Sequence, residues 1–501
     1  MGGKRIGKVT AALLLSLCFA SWAAGRATAQ SAEGRWMAGD FHFHTLLTDG
    51  GRTPDEVALH ASAYGLDWFA FSEHGGNFGY DQDGKPFPER IPRWITLKYF
   101  SFPIVLRLRA HYPEKRILLG LEWNVPAHEH ASVGIVSDDP AALSDFEYAC
   151  DAADMDTSRA LPKRNRTHQD AVACVASLGK DHPGGSYFLP NHPSRALGFT
   201  AADLREFNDA APGVAFGFEG IPGHQKAQSR GGYYSSFREP SETFKARTHG
   251  GADYMAAKVG GTWDALLGEG RRFFLFANSD FHDTKGSFWP GEYAKSHTFV
   301  KGDSLAAVVD GMRSGNSFAV LGDLIDALSF TAGARDNTAT MGETLTAERG
   351  DRVWISVAFR SPEANNNGDA PRVDHIDVIA GNITERAEPG TDAYRSDANP
   401  TARVVARIAE RDWTCENGWC RSRIDAGPAA RDMYFRLRGT NLPPSVPGET
   451  DAEGNPLSDD MACGEEQLPP RCNTAEKAYA DLWFYSNPIF VDVLTGEGPL
   501  R

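Results

Sequence analysis

Residues 39–75, GDFHFHTLLTDGGRTPDEVALHASAYGLDWFAFSEHG, hold a complete strand–helix–strand unit. Trp36–Phe43 reads as a strand that turns polar where His42 and His44 begin. Thr53 can cap a helix, Pro54 suits its first position, and Glu56 completes a capping box. Val57, Ala61 and Tyr64 then lie along one face, and Gly65 ends the helix. Leu66–Phe71 is a second buried strand, stopping at Ser72-Glu73-His74. Polar residues therefore gather where strands end, which in a β/α barrel is the active-site face.

The same texture continues outward from this unit. Up to about residue 320, short apolar strands alternate with helical stretches, the mark of β/α units. Beyond it the runs Arg352–Ser361, His375–Ile383, Ala402–Glu410, Asp432–Gly439 and Leu482–Val493 read as strands separated by loops. Fourteen of the fifteen histidines lie between His42 and His297, and only His375 follows. We read a β/α domain over residues 30–322, with an insertion at about 78–115, and a β-rich, sandwich-like accessory domain over 323–501.

The histidines and acids sit at chemically suggestive spacings. His42 and His44 are two apart, so on an extended strand both imidazoles project from one face and can chelate one divalent ion. Asp49 follows in a Thr-Asp-Gly-Gly turn. GLEWNVPAHEH puts Glu122 at the end of an apolar strand, where an acid is costly to bury unless paired or metal-bound, and His130 at the start of another. A third strand ends at His192 in NHPSR, and a fourth at Asp280 and His282 in NSDFH, again two apart. Each fragment alone has a bland explanation, but four strand ends delivering His or acid to one rim do not arise readily by chance.

The order and spacing of these motifs resemble the polymerase-and-histidinol-phosphatase (PHP) family of metal-dependent phosphoesterases, over roughly residues 36–320. The resemblance implies an α/β fold with a distorted seven-stranded, TIM-like β/α barrel holding up to three divalent ions. It implies that His42, His44, Glu122 and Asp280 hold one ion, and that Glu122 bridges to a second held by His130 and His192. Asp49, His74 and His282 would hold a third. Glu73 stands where the family commonly has Asp, and is expected to support the ligands rather than join them. Mixed His/carboxylate sites suit zinc, manganese or iron, so two or three such ions are the expected cofactors.

Around the ligands, Arg195 could clamp a phosphate oxygen and His224 could protonate a leaving group. Glu219 could orient a ligand or pair with a cation. The implied activity is hydrolysis of small organic phosphate esters. The lack of an Arg/Lys cluster outside the ligands tilts the reading toward diesters over monoesters. In the insertion, Trp94, Tyr99, Phe100 and Phe102 among basic residues could form a lid over an organic substrate. Two rivals were weighed: an amidohydrolase-like enzyme cleaving C–N or C–O bonds, and a binding protein with a structural metal. The first usually bridges its metals with lysine, and nine filled ligand positions speak against the second.

Composition bounds the rest. A formal charge of -15 argues against electrostatic capture of long nucleic acid. Past the N-terminus no apolar stretch is long enough to span a membrane. Residues 1–29 read as a signal peptide: a basic start at Lys4, Arg5 and Lys8, an apolar Ala11–Ala20, and cleavage after Ala27-Thr28-Ala29. A periplasmic or secreted location follows. The six remaining cysteines fall into three sequence-near pairs, Cys150 with Cys174, Cys415 with Cys420 and Cys463 with Cys472, the simplest of 15 connectivities.

Overall fold

A computed structural model of the protein describes residues 34–81, 83–227, 230, 245–459 and 474–494. The expected signal peptide and the expected Cys463–Cys472 pairing lie outside the described residues.

The opening unit forms as its sequence directs. Strand β1 (Gly34–Asp40) runs into the polar segment from Phe41, and helix α1 (Pro54–Ala63) follows. Thr53 accepts from the Glu56 backbone N–H, while the Glu56 side chain accepts from the Thr53 backbone, so the capping box is complete. Val57, Ala58 and Ala61 face the core. β2 (Trp68–Phe71) then pairs parallel with β1. The close approach of Trp68 explains Gly39, since a Cβ there would lie 1.9 Å from the indole.

The insertion begins as a hairpin, β3 (Asn77–Tyr80) and β4 (Pro86–Pro92). It continues through α2 (Arg93–Thr96), a π-helical turn at Leu97–Ser101, and α3 (Phe102–His111). Pro103 falls in the first turn of α3, where its missing N–H costs nothing. β5 (Arg116–Asn124) pairs parallel with β2, and β6 (His130–Ile135) and β7 (Ser186–Pro190) add antiparallel. α4 (Ala141–Cys150) and α5 (His168–Asp181) lie between β6 and β7, joined by the Cys150–Cys174 disulfide. α6 (Ala201–Ala210) leads to β8 (Gly217–Ile221). A short pair, β9 (Thr248–His249) and β10 (Ala252–Asp253), precedes β11 (Phe274–Ala277), which pairs parallel with β8. β12 (Ala294–Lys301) returns antiparallel to β1 and pairs with β13 (Ser317–Leu321).

The architecture is mixed α/β, as expected, but among the described residues no sheet closes on itself, so the seven-stranded ring is not seen as a continuous ladder. The hydrogen-bonded path runs β13-β12-β1-β2-β5-β6-β7 and stops, leaving β8 and β11 as a separate pair. Side chains take over at the gap. Asn278 Oδ1 accepts from Phe41 N at 2.9 Å, and Ser296 Oγ accepts from Ala277 N at 2.8 Å. One backbone bond, Phe188 N to Val214 O at 3.0 Å, links β7 to the approach to β8. Aromatic rings fill the interior below, with Phe41 5.9 Å from Tyr187 and 5.8 Å from Phe276.

The C-terminal strands appear close to their expected positions: Arg352–Arg360, His375–Asn382, Arg403–Ala409 and Met433–Thr440. The expected Leu482–Val493 run divides into Trp483–Ser486 and Ile489–Leu494 around Asn487-Pro488, because proline cannot donate to a ladder. Five strands, Asn337–Thr340, Ala327–Ala334, Arg352–Arg360, Trp419–Pro428 and Thr414–Glu416, form their own sheet, with the Cys415–Cys420 disulfide at its edge. The other strands extend the large sheet, because Trp483–Ser486 pairs antiparallel with β13. Hydrogen bonding thus passes across residue 322. From Gly34 onward the chain forms one compact unit.

Candidate metal centre

Apart from Asp49, which sits in a turn, each predicted ligand lies within a few residues of a strand end, and backbone bonds lace neighbouring ends together. His44 N donates to Phe281 O at 2.8 Å, and Asp280 N to His42 O at 2.9 Å, so the HxH and DxH segments run side by side. Gly75 N donates to Glu122 O at 3.0 Å, fixing His74 beside β5. Asn191 N donates to His130 O at 3.0 Å, fixing His192 beside β6.

All nine predicted ligands come close to one another, Asp49 through the turn that Glu73 holds. Around the fully buried His42 and His44, His42 Nε2 lies 3.1 Å from Glu122 Oε1 and 3.2 Å from Asp280 Oδ1. His44 Nε2 lies 3.2 Å from Glu122 Oε2 and 3.3 Å from Asp280 Oδ1. On one side of Glu122, His130 Nδ1 and His192 Nε2 approach Oε1 at 3.2 and 3.3 Å. On the other, His74 Nδ1 stands 2.9 Å from Oε2, and His74 Nε2 and His282 Nε2 reach Asp49 Oδ2 at 3.3 and 3.4 Å.

That spacing fits divalent ions. Ligand atoms about 2.0–2.2 Å from a metal stand about 3 Å from one another. The buried Asp280 Oδ1 and His130 Nδ1 have no hydrogen-bond partner, although a second donor atom stands 3.2 Å from each. Lone pairs converging in this way are met by a cation between them.

Electrostatics carries the same message. Burial would raise the pKa of Glu122, but His42, His130 and His74 hold it well below the usual range. Burial likewise opposes ionisation of Asp280 and Asp49, and nearby histidines hold both below it. In return, although burial opposes their charge, the carboxylates lift His42 and His74 well above the imidazole value, and His282 to about 9. His192 goes the other way, pushed by burial to about 3. The carboxylates demand positive charge, which protons on the rings or divalent cations between them can supply.

The supporting side chains are equally specific. Glu219, fully buried, accepts from His42 Nδ1 at 2.9 Å, from His192 N at 2.8 Å and from Asn278 Nδ2 at 3.0 Å. Glu73 accepts from Thr45 N at 3.1 Å and from the Thr45 and Thr48 hydroxyls, holding the turn that carries Asp49. Asn191, which the sequence reading passed over, donates to Glu122 Oε1 at 3.0 Å while its oxygen accepts from Ser132 N at 3.1 Å. Its only sequence signal was its position beside His192.

His224 Nε2 sits on Asp280 Oδ2 in a short contact, and with Asp280 and His282 it could itself hold an ion. Arg195 Nε lies 3.8 Å from Glu129 Oε2, and its charge depresses the pKa of His192. His192, His224 and Asp280 all have left-handed φ, at 30°, 64° and 42°. Such backbone costs about 1–3 kcal/mol per residue and clusters at functional sites. Beside Asp49, the β3–β4 hairpin walls a cavity of about 550 Å³ lined by Phe78, Tyr80 and Arg90. Trp94 donates to Asp156 at 2.9 Å, and Phe100 packs against Phe87 of β4 at 5.7 Å.

No protein-family model matches the chain, and no curated protein sequence matches it. Among solved structures, it is similar to a two-domain protein from Bacteroides vulgatus named as containing a PHP-like metal-dependent phosphoesterase. The two are 14% identical over 85% of this chain and 95% of that one, with a TM-score of 0.36. A structure from Bifidobacterium adolescentis, named as a metal-dependent phosphoesterase, is 11% identical over 49% of this chain and 88% of that one, with a TM-score of 0.26.

Proposed function

We propose that the protein is a PHP-like metal-dependent phosphoesterase that hydrolyses small organic phosphate esters, with diesters preferred. The observation that carries this reading is the convergence on Glu122 and Asp280 of His42, His44, His74, His130 and His192, with ligand-to-ligand distances near 3 Å.

His42, His44, Asp49, His74, Glu122, His130, His192, Asp280 and His282 would hold two or three zinc, manganese or iron ions. Bound ions supply a hydroxide nucleophile near neutral pH and neutralise phosphoryl oxygens. The chain's own residues do the rest. Glu219 keeps the His42 ring proton on Nδ1, leaving Nε2 as the donor atom. Arg195 beside His192 is suited to clamp a phosphoryl oxygen. His224, exposed on one side, is suited to pass a proton to the leaving alkoxide. Among the described residues Arg90 is the one cation lining the cavity, which supports a diester, whose one negative charge needs less compensation than a monoester's two.

The two disulfides suit an extracytoplasmic location. No helix among the described residues is long and apolar enough to cross a membrane.

The test is turnover of bis(p-nitrophenyl) phosphate and p-nitrophenyl phosphate by metal-loaded protein, with His42→Ala as control. Turnover of the diester, faster than of the monoester and lost in the variant, is the expected result. No turnover of either by fully loaded protein would sink the reading and favour C–N or C–O hydrolysis.

A further inference from the structure

A second group of ligand-type side chains lies apart from the centre and shares no residue with it. His128 sits just before β6, His168 opens α5, and Asp203 and Glu206 lie on α6. Their ring nitrogens are spoken for in an unusual way. His128 Nδ1 is 3.0 Å from the carbonyl oxygen of Gly198, which can only accept, so Nδ1 carries that ring's proton. His168 Nε2 is 2.7 Å from Glu206 Oε2, and an ionised carboxylate also only accepts, so Nε2 carries the proton there.

The two remaining nitrogens, His128 Nε2 and His168 Nδ1, face each other at 2.7 Å. In two neutral rings both present lone pairs, an arrangement that repels unless something positive lies between. Negative charge surrounds them: Asp203 Oδ1 is 3.9 Å from His168 Nδ1, and Glu206 closes the far side. The His128 ring is held by stacking on Phe199 at 5.1 Å and by the edge of Phe207 at 5.7 Å.

We propose that His128, His168 and Asp203 bind a divalent ion of the zinc class, apart from the catalytic centre, which clips the segment leading to His130 onto α5 and α6. One atom from each of the three lies within 4.8 Å of the others. The outer acceptors, Gly198 O and Glu206, are the partners that metal-bound imidazoles require on their far nitrogens. Binding needs the facing nitrogens to part from 2.7 Å to about 3.3 Å, the separation set by zinc–nitrogen bonds of about 2.0–2.1 Å. The ion replaces a proton that one ring would otherwise have to carry.

Anomalous diffraction at the zinc edge, on crystals of the full chain equilibrated with Zn²⁺, tests this directly. A peak between His128 Nε2 and His168 Nδ1 is expected. Its absence overturns the proposal whatever the nine-ligand centre holds, and leaves a shared proton in its place. In solution, folded His168→Gln should retain one zinc fewer per chain than the wild type after dialysis. An equal count would also overturn the proposal, and if that variant fails to fold the diffraction result on wild-type protein decides.

Discussion

Glu219 stands directly behind His42, its Oε1 2.9 Å from the ring Nδ1. The other oxygen takes the His192 backbone N–H at 2.8 Å, so one carboxylate orients ligands from two strand ends. Partners of this kind typically carry about 10–100-fold of metal affinity or activity. Glu219→Gln keeps the shape but offers His42 an amide in place of a carboxylate. It should lower kcat by about that factor with little change in KM, and speed metal loss to a chelator. Wild-type kcat together with wild-type metal retention would show that Glu219 merely fills space.

Arg90 should act on binding rather than on chemistry. It lines the cavity beside Asp49 but touches no ligand atom that we identify. Arg90→Ala is expected to raise KM for anionic esters by about 5–10-fold, the worth of one partly solvated charge-assisted hydrogen bond. Its kcat should stay within about twofold, and added salt should narrow the KM difference. Steady-state kinetics at low and high ionic strength measure both.

His297 gives stability a defined pH dependence. The half-buried ring on β12 is stacked on Phe318 at 4.7 Å, and its buried Nε2 has no hydrogen-bond partner. Burial, aided by Lys295, lowers its pKa to about 3. The folded state therefore binds fewer protons than the unfolded one between pH 6.5 and 3. Stability from this group is fully present above pH 6.5 and is lost as pH falls, by about 1.4 kcal/mol per unit within the window. His297→Phe keeps the stack and removes the proton site. Denaturant melts at pH 7 and pH 5 should show a smaller acid loss in the variant, and identical slopes would contradict this account.

Asp264 and Arg436 tie the chain together across residue 322. Both are fully buried, and the guanidinium Nε and Nη2 donate to the two carboxylate oxygens at 2.8 and 2.7 Å. Tyr434 adds a third donor at 2.9 Å, and the guanidinium lies over Trp263 at 4.6 Å. Asp264→Ala should cost about 3–5 kcal/mol because it strands a buried cation. Urea unfolding measures this, and a loss below about 1 kcal/mol would mean that water reaches Arg436.

Local chemistry was legible in the sequence, and long-range pairing was not. The capping box at Thr53 and Glu56 and the two-residue spacings of His42/His44 and Asp280/His282 depend on neighbours only. The resemblance of these motifs to the PHP family singled out the nine side chains that the structure brings close to one another. The β3–β4 hairpin was missed because Asn77–Tyr80 and Pro86–Pro92 show no clean alternation and carry three prolines. The role of Asn191 depends on Ser132 and Glu122, which only folding brings near. The open ring could not be read either. It follows from Asn278 and Ser296 side chains standing in for ladder bonds, and such exchanges leave no pattern in a strand's own residues.

The strand Trp483–Ser486 lies between β13 and Met433–Thr440, so a late segment of the chain is an interior member of the sheet. During synthesis, β13 leaves the ribosome long before the partner that covers it. Until that partner arrives, the nascent β/α half presents a bare row of N–H and C=O groups. Such an edge invites pairing with other chains until Trp483–Ser486 covers it. It also means that a cut at residue 322 would leave β13 without the neighbour that pairs with it.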